Sequence, residues 1–224
     1  MVDVFGFPVT AASGGGDFLP IIQYDARAGR MFRSDRVDNG GTFQTEKVDI
    51  TANFKAMVDF ENIEIGFIRF APNTAPDFRM VPIGSQLPDQ PSEQHSYGLR
   101  FMLKLSKECG GDKPIREIAG TSKAFRAGVE PVYLQYVADR ANHPGKLPVL
   151  VLEKTTPVKT GTGERSSTNY HPTFKIAGWA PRGDLVFEPK ASAAPSTAPT
   201  TAPTTGSTRA AAPVAAPEMA DDFG

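Results

Sequence analysis

The sequence predicts a mostly β domain with one short helix, followed by a C-terminal tail that stays outside the fold. Three observations carry this. Apolar and polar residues alternate with period two from Lys47 to Phe60, from Ile63 to Phe70 and from Tyr97 to Ser106, the pattern of half-buried strands. A helical apolar spacing follows Glu130-Pro131, where Val132, Tyr133, Tyr136 and Val137 recur at i, i+1, i+4 and i+5. From Pro189 to Gly224, 26 of 36 residues are Ala, Pro, Ser or Thr, too few large apolar groups to offset the entropy of ordering a backbone.

Taken in order, residues 1 to 16 read as an arm ending in Gly14-Gly15-Gly16. Phe18 to Tyr24 begins a strand, and Arg30 to Val37 returns after a turn through Ala26 to Gly29. Lys47 to Phe60 places Val48, Ile50, Ala52, Phe54, Ala56 and Val58 on one face, with Asp49, Lys55 and Asp59 on the other. Glu61-Asn62 turns the chain into Ile63 to Phe70, which makes this pair the expected central hairpin. Phe78 to Ile83 and Tyr97 to Ser106 are further strands. In the latter, Leu99, Phe101, Leu103 and Leu105 oppose Arg100 and Lys104. The helix is expected from about Pro131, a suitable first helical residue, to about Asn142. Leu147 to Leu152 and Thr173 to Trp179 close the fold across a long polar loop, Thr155 to Pro172. Many strands, one inserted helix and long loops suit a small Greek-key barrel of the OB type, with a β-sandwich as the alternative.

The expected organisation is one domain over residues 1–188 and a tail over 189–224. The chain holds 24 Lys and Arg against 25 Asp and Glu. Lys190, Arg209, Glu218, Asp221 and Asp222 lie in the tail, so the body is neutral and the tail is acidic. A neutral body argues against tight electrostatic binding of duplex DNA or an anionic membrane. Cys109 is the single cysteine, which excludes an intramolecular disulfide and suits the cytoplasm. No signal peptide and no membrane-length apolar run is read from the sequence.

A catalytic constellation is not legible. His95, His143 and His171 sit in loop-like sequence without metal-ligand spacing, and one cysteine cannot build a thiolate site. Lys159-Thr160-Gly161-Thr162-Gly163-Glu164-Arg165 lacks the strand-to-helix context of a phosphate loop. Asp49, Asp59, Glu61 and Glu64 are accounted for by the solvated face and turn of the central hairpin. No cofactor and no metal are expected. What remains is cationic and aromatic. The first hairpin carries Arg27, Arg30, Arg33 and Arg36 with Tyr24 and Phe32, and Phe43 follows. Lys154, Lys159 and Arg165 line the closing hairpin beside Tyr170, Phe174 and Trp179. Lys55, Arg100 and Lys104 add charge on the strands. Positive charge tracks phosphates and rings stack on bases, which is what a groove for single-stranded nucleic acid requires. Solvated arginines and core aromatics are the plainer reading of the same residues.

The β-rich body, the long Ala/Pro/Thr tether and the acidic tip Glu218-Met219-Ala220-Asp221-Asp222-Phe223 together resemble single-stranded DNA-binding proteins, particularly the OB-fold replication proteins of bacteriophages. The run Gly145-Lys146-Leu147-Pro148-Val149 through Asn169-Tyr170 to Gly178-Trp179 is similar to the closing hairpin of such proteins. The resemblance implies a non-catalytic protein that coats single-stranded DNA in replication or recombination. It also implies that Glu218, Asp221, Asp222 and Phe223 recruit partner proteins, with a tether of about 28 residues spanning roughly 30 to 90 Å. Family tails end on the aromatic, whereas Gly224 follows Phe223 here. Homo-oligomerisation stays open. The alternative expectation is a phage structural or assembly protein whose tail is a spacer.

Overall fold

A computed structural model describes residues 20–72, 74–163 and 166–186. The N-terminal arm, Arg165, the side chain of Phe43, and the tail with Glu218, Asp221, Asp222 and Phe223 lie outside the described residues. The strands are β1 (Ile21–Asp25), β2 (Arg30–Asp38), β3 (Phe43–Asp49), β4 (Lys55–Val58), β5 (Glu64–Arg69), β6 (Asp77–Pro82), β7 (Ser96–Leu105), β8 (Ile115–Gly120), β9 (Lys146–Thr160) and β10 (Ser167–Pro181). A one-turn helix, α1 (Lys107–Gly110), precedes β8, and the long helix α2 (Lys123–Asp139) follows it.

All ten strands join one sheet in the order β10-β9-β4-β7-β8-β1-β2-β3, with β5 on β7 and β6 on β5. The sheet is mixed because β1 runs parallel to β8 while the other pairs are antiparallel. The chain is therefore mostly β, as its alternation predicts, but the sheet does not close into the expected barrel. Helix α2 lies against its inner face, so the strands wrap a helix instead of meeting one another. The main core combines Phe125, Val129, Val132 and Tyr136 of α2 with Leu99, Phe101, Leu103, Leu105, Ile118, Leu150 and Phe174 of the sheet.

Three sequence expectations need correction. The helix starts at Lys123, with the Ser122 hydroxyl accepting a hydrogen bond from the Phe125 amide, and Pro131 sits inside it. An interior proline costs about 3 kcal/mol, and the buried stripe Ala124, Phe125, Gly128, Val129, Val132 and Tyr136 outweighs that penalty. Second, Lys47 to Phe60 is two strands separated by a helical turn at Thr51–Asn53, and β4 pairs with β7 and β9, not with β5. Its supposed solvated face is covered, since Met57 and Asp59 are both buried. Third, the polar stretch from 155 to 172 is mostly strand, so β9 and β10 form a long antiparallel ribbon with a short connection.

On the outer face a second cluster packs Met57, Met102, Leu147, Val149 and Ala180 around Leu185. The segment carrying Leu185 is pinned by Arg182, which donates to both carboxylate oxygens of Asp59, at 2.8 and 3.0 Å, and to Glu61. Lys104 donates to Asp184 at 2.8 Å beside them. Among the described residues no helix is long and apolar enough to cross a membrane.

Gly128 lets α2 approach β10 closely. A Cβ there would lie 2.5 Å from the Pro172 carbonyl oxygen and 2.6 Å from its ring. Gly128→Val is expected to destabilise the protein by about 1–3 kcal/mol through overpacking, read as a lower urea midpoint. Gly128→Ala should lose less, because alanine regains about 1 kcal/mol of helix propensity.

Candidate nucleic-acid interface

The two cationic hairpins, far apart in sequence, meet in space. The Ala26–Gly29 turn between β1 and β2 docks on the β9–β10 ribbon. There the Tyr170 amide donates to the Ala26 carbonyl at 2.6 Å, and the Tyr24 hydroxyl donates to the Tyr170 carbonyl at 2.7 Å. Gly29 makes the contact possible: it has φ of 67°, and a Cβ on it would stand 2.8 Å from the Tyr170 side chain. Asp25 shapes the turn by accepting from the amides of Arg27 and Ala28.

Beside this junction opens a cleft of about 610 Å³. Its walls come from β1 and the turn (Gln23, Tyr24, Arg27), from the start of α2 (Ser122, Lys123) and from the ribbon (Thr160, Asn169, His171). The helix start adds the positive end of its dipole and its unpaired amides to this wall. Lys123 is a wall residue that sequence reasoning missed. A Ser followed by a helix-compatible run was the available signal, and Pro131 drew the predicted start downstream.

Ion pairing sorts the cations expected to bind nucleic acid. Arg27, Lys154 and Lys159 are exposed, and among the described residues neither they nor Lys123 make an ion pair. Arg30 is exposed but pairs with Asp49 at 2.6 Å. Arg33 is held by Asp35 and the Cys109 carbonyl. Arg36 is exposed near the end of β2, and Lys55 is half-buried on β4. Lys104 is tied to Asp184 on the outer face.

Arg100 and Trp179 are buried, Arg100 against the expectation of a solvated cation and Trp179 in keeping with the plainer reading of a core aromatic. Arg100 is 6 % exposed, bonded to Glu64 and Glu117, and its guanidinium lies 5.0 Å from the Phe78 ring centroid. Burial raises the Glu64 carboxyl pKa, against the opposing pull of Arg100. Redirecting a charge from such a buried network to a ligand would strand its partners. Trp179 is 6 % exposed, stacked on His143 with centroids 4.2 Å apart and packed against Tyr136. It belongs to the core. Phe32 is half-buried on the face away from α2. Tyr24 and Tyr170 are the half-buried aromatics that remain beside the cleft. The expected polar-face carboxylates are also engaged: Asp49 by Thr51 and Arg30, and Asp59 by Arg182. No group of three His, Cys, Asp or Glu suited to a metal ion occurs among the described residues.

Burial, with a smaller contribution from Asp25, pushes the Tyr24 hydroxyl up to about 12. It therefore remains a donor to Tyr170 through the neutral range. Since this pKa is raised above the unfolded value of about 10, the contribution of Tyr24 is complete below pH 10 and is lost as pH rises toward 12. Thermal midpoints of the native protein are expected to fall across that window, and Tyr24→Phe should show a smaller fall.

Compared with family models, curated proteins and solved structures, the chain matches none of them.

Proposed function

We propose that this protein binds single-stranded DNA without catalysing a reaction, and that the cleft between the β1–β2 turn, the start of α2 and the β9–β10 ribbon forms part of the binding surface. One observation carries the reading. Arg27 and Lys123, which make no ion pair among the described residues, line one open cleft; Lys154 and Lys159, likewise without an ion pair among the described residues, lie on the adjoining β9–β10 ribbon, and Tyr24 and Tyr170 supply aromatic surface beside it. Cations already neutralised by carboxylates gain little from a phosphate. Unpaired cations release counterions from the strand and bind most strongly at low salt. The neutral body and the lack of a long basic face favour an extended single strand over a duplex.

In the same reading, the acidic tip with Glu218, Asp221, Asp222 and Phe223 recruits replication or recombination proteins. The chain leaves the described fold at Val186, next to the buried Leu185 on the outer face of the sheet. Val186 lies on the face opposite α2, so recruitment is assigned to the tip separately from the cleft.

Anisotropy of a labelled oligothymidine reports binding directly, which suits a protein whose tryptophan is buried. Binding is expected at low salt and should weaken as salt rises. Arg27→Ala combined with Lys123→Ala should reduce affinity and lower the slope of log affinity against log salt by about 0.7 for each lost phosphate contact. Absence of binding by the native protein at low salt would refute the proposal, and a particle component would behave that way. Deleting Glu218 to Gly224 is expected to leave oligonucleotide affinity equal or higher while binding to replication partners falls. Weaker oligonucleotide binding after deletion would remove the role assigned to the tip.

A further inference from the structure

The start of α2, whose Ser122 and Lys123 line the cleft, also borders a second aromatic and cationic surface on β5, β6 and β7. Arg79 of β6 stands opposite Phe67 of β5, and Phe67 stands opposite Tyr97 of β7. On the other side of β7, Leu99 pairs with Gly120 at the end of β8, two residues before Ser122, which caps α2 and lines the cleft. Arg79, Phe67 and Tyr97 thus lie on one rung across two strand spacings, about 10 Å, and the α2 side of that rung adjoins the start of the helix.

The side chains on this line have the chemistry of a base-stacking platform. The Phe67 and Tyr97 rings are half-buried and touch edge to face, with centroids 6.1 Å apart. From the second turn of α2, the Arg126 guanidinium sits 4.9 Å from the Tyr97 ring centroid. Among the described residues no carboxylate pairs with Arg126, and its buried Nε has no hydrogen-bond partner. Arg79 is 46 % exposed and pairs only loosely with Asp77, at 3.3 Å. Two partly open rings thus lie beside a guanidinium that has no carboxylate partner among the described residues. Rings that stack on bases beside a cation that meets phosphates are a recurring arrangement for unpaired strands.

We propose that a single strand occupying the cleft continues over the first turn of α2 onto Phe67 and Tyr97, where unpaired bases stack, while Arg126 and Arg79 meet the backbone phosphates. This rests on the single-stranded DNA reading and extends it to a stacking subsite on β5 and β7.

The test uses the full chain with oligothymidine and with an oligomer of the same length whose bases are replaced by abasic sites. Phe67→Leu and Tyr97→Leu are each expected to weaken oligothymidine binding about tenfold, within the range of one stacked base. Both should leave binding to the abasic oligomer unchanged, because the phosphates are the same. Arg79→Ala, at an exposed side chain that does not threaten folding, should lower the salt slope by about 0.7. Native-like oligothymidine affinity in both leucine variants, with an unchanged slope in Arg79→Ala, overturns the subsite and leaves the cleft reading standing. Failure of the native protein to bind oligothymidine at low salt overturns both.

Discussion

Phe125 is the side chain on which this architecture turns. It projects from the first turn of α2 and meets Tyr24 of β1 at 5.9 Å, Phe101 of β7 at 6.5 Å and Phe174 of β10 at 6.4 Å between ring centroids. Three strands that are not neighbours in the sheet are thereby brought to one ring. Gly120 of β8 completes the nest, since a Cβ there would come within 2.8 Å of the Phe125 ring. A flat sheet cannot deliver β1 and β10 to the same helix turn, so burial of this ring requires the sheet to curl, as right-handed strand twist allows.

That curl makes the candidate site. Drawing β10 toward β1 brings the ribbon against the Ala26–Gly29 turn, and the cleft is the space left where turn, ribbon and helix start meet without filling it. The cations then divide by location. Those on the strands find carboxylates: Arg33 on its own strand, Arg100 on neighbouring strands and Lys104 on the segment that follows β10. Arg27 at the turn, Lys123 at the helix start, and Lys154 and Lys159 on the ribbon make no ion pair among the described residues. Strand residues have cross-strand neighbours at fixed spacing, whereas turns and ribbon ends project beyond them, so unpaired charge collects around the opening.

The outer face serves a different purpose. Asp59 is fully buried there and is neutralised by Arg182, more than a hundred residues later in the chain. This pair holds Leu185 over Met57, Met102 and Val149. The final described segment is thus a structural cover for the face of the sheet opposite α2.

Period-two alternation was readable for β7, where Leu99, Phe101, Leu103 and Leu105 are all buried as expected, because alternation records a local choice of which side chains face the core. The cationic and aromatic content of the two hairpins was readable for the same reason. β8 was hidden: its buried Arg116 and Glu117 make Ile-Arg-Glu-Ile-Ala-Gly look like a loop until Ser34, Asp35 and Arg100 appear as their partners. The split of each cationic set into paired and unpaired members was equally invisible, as was the rung joining Arg79 to Tyr97. Composition and periodicity depend on a residue and its neighbours along the chain, and they settled the β class of this body. Strand order, register and charge neutralisation depend on contacts such as Tyr24 with Tyr170, separated by 146 positions, and those arise only once the sheet has curled around Phe125.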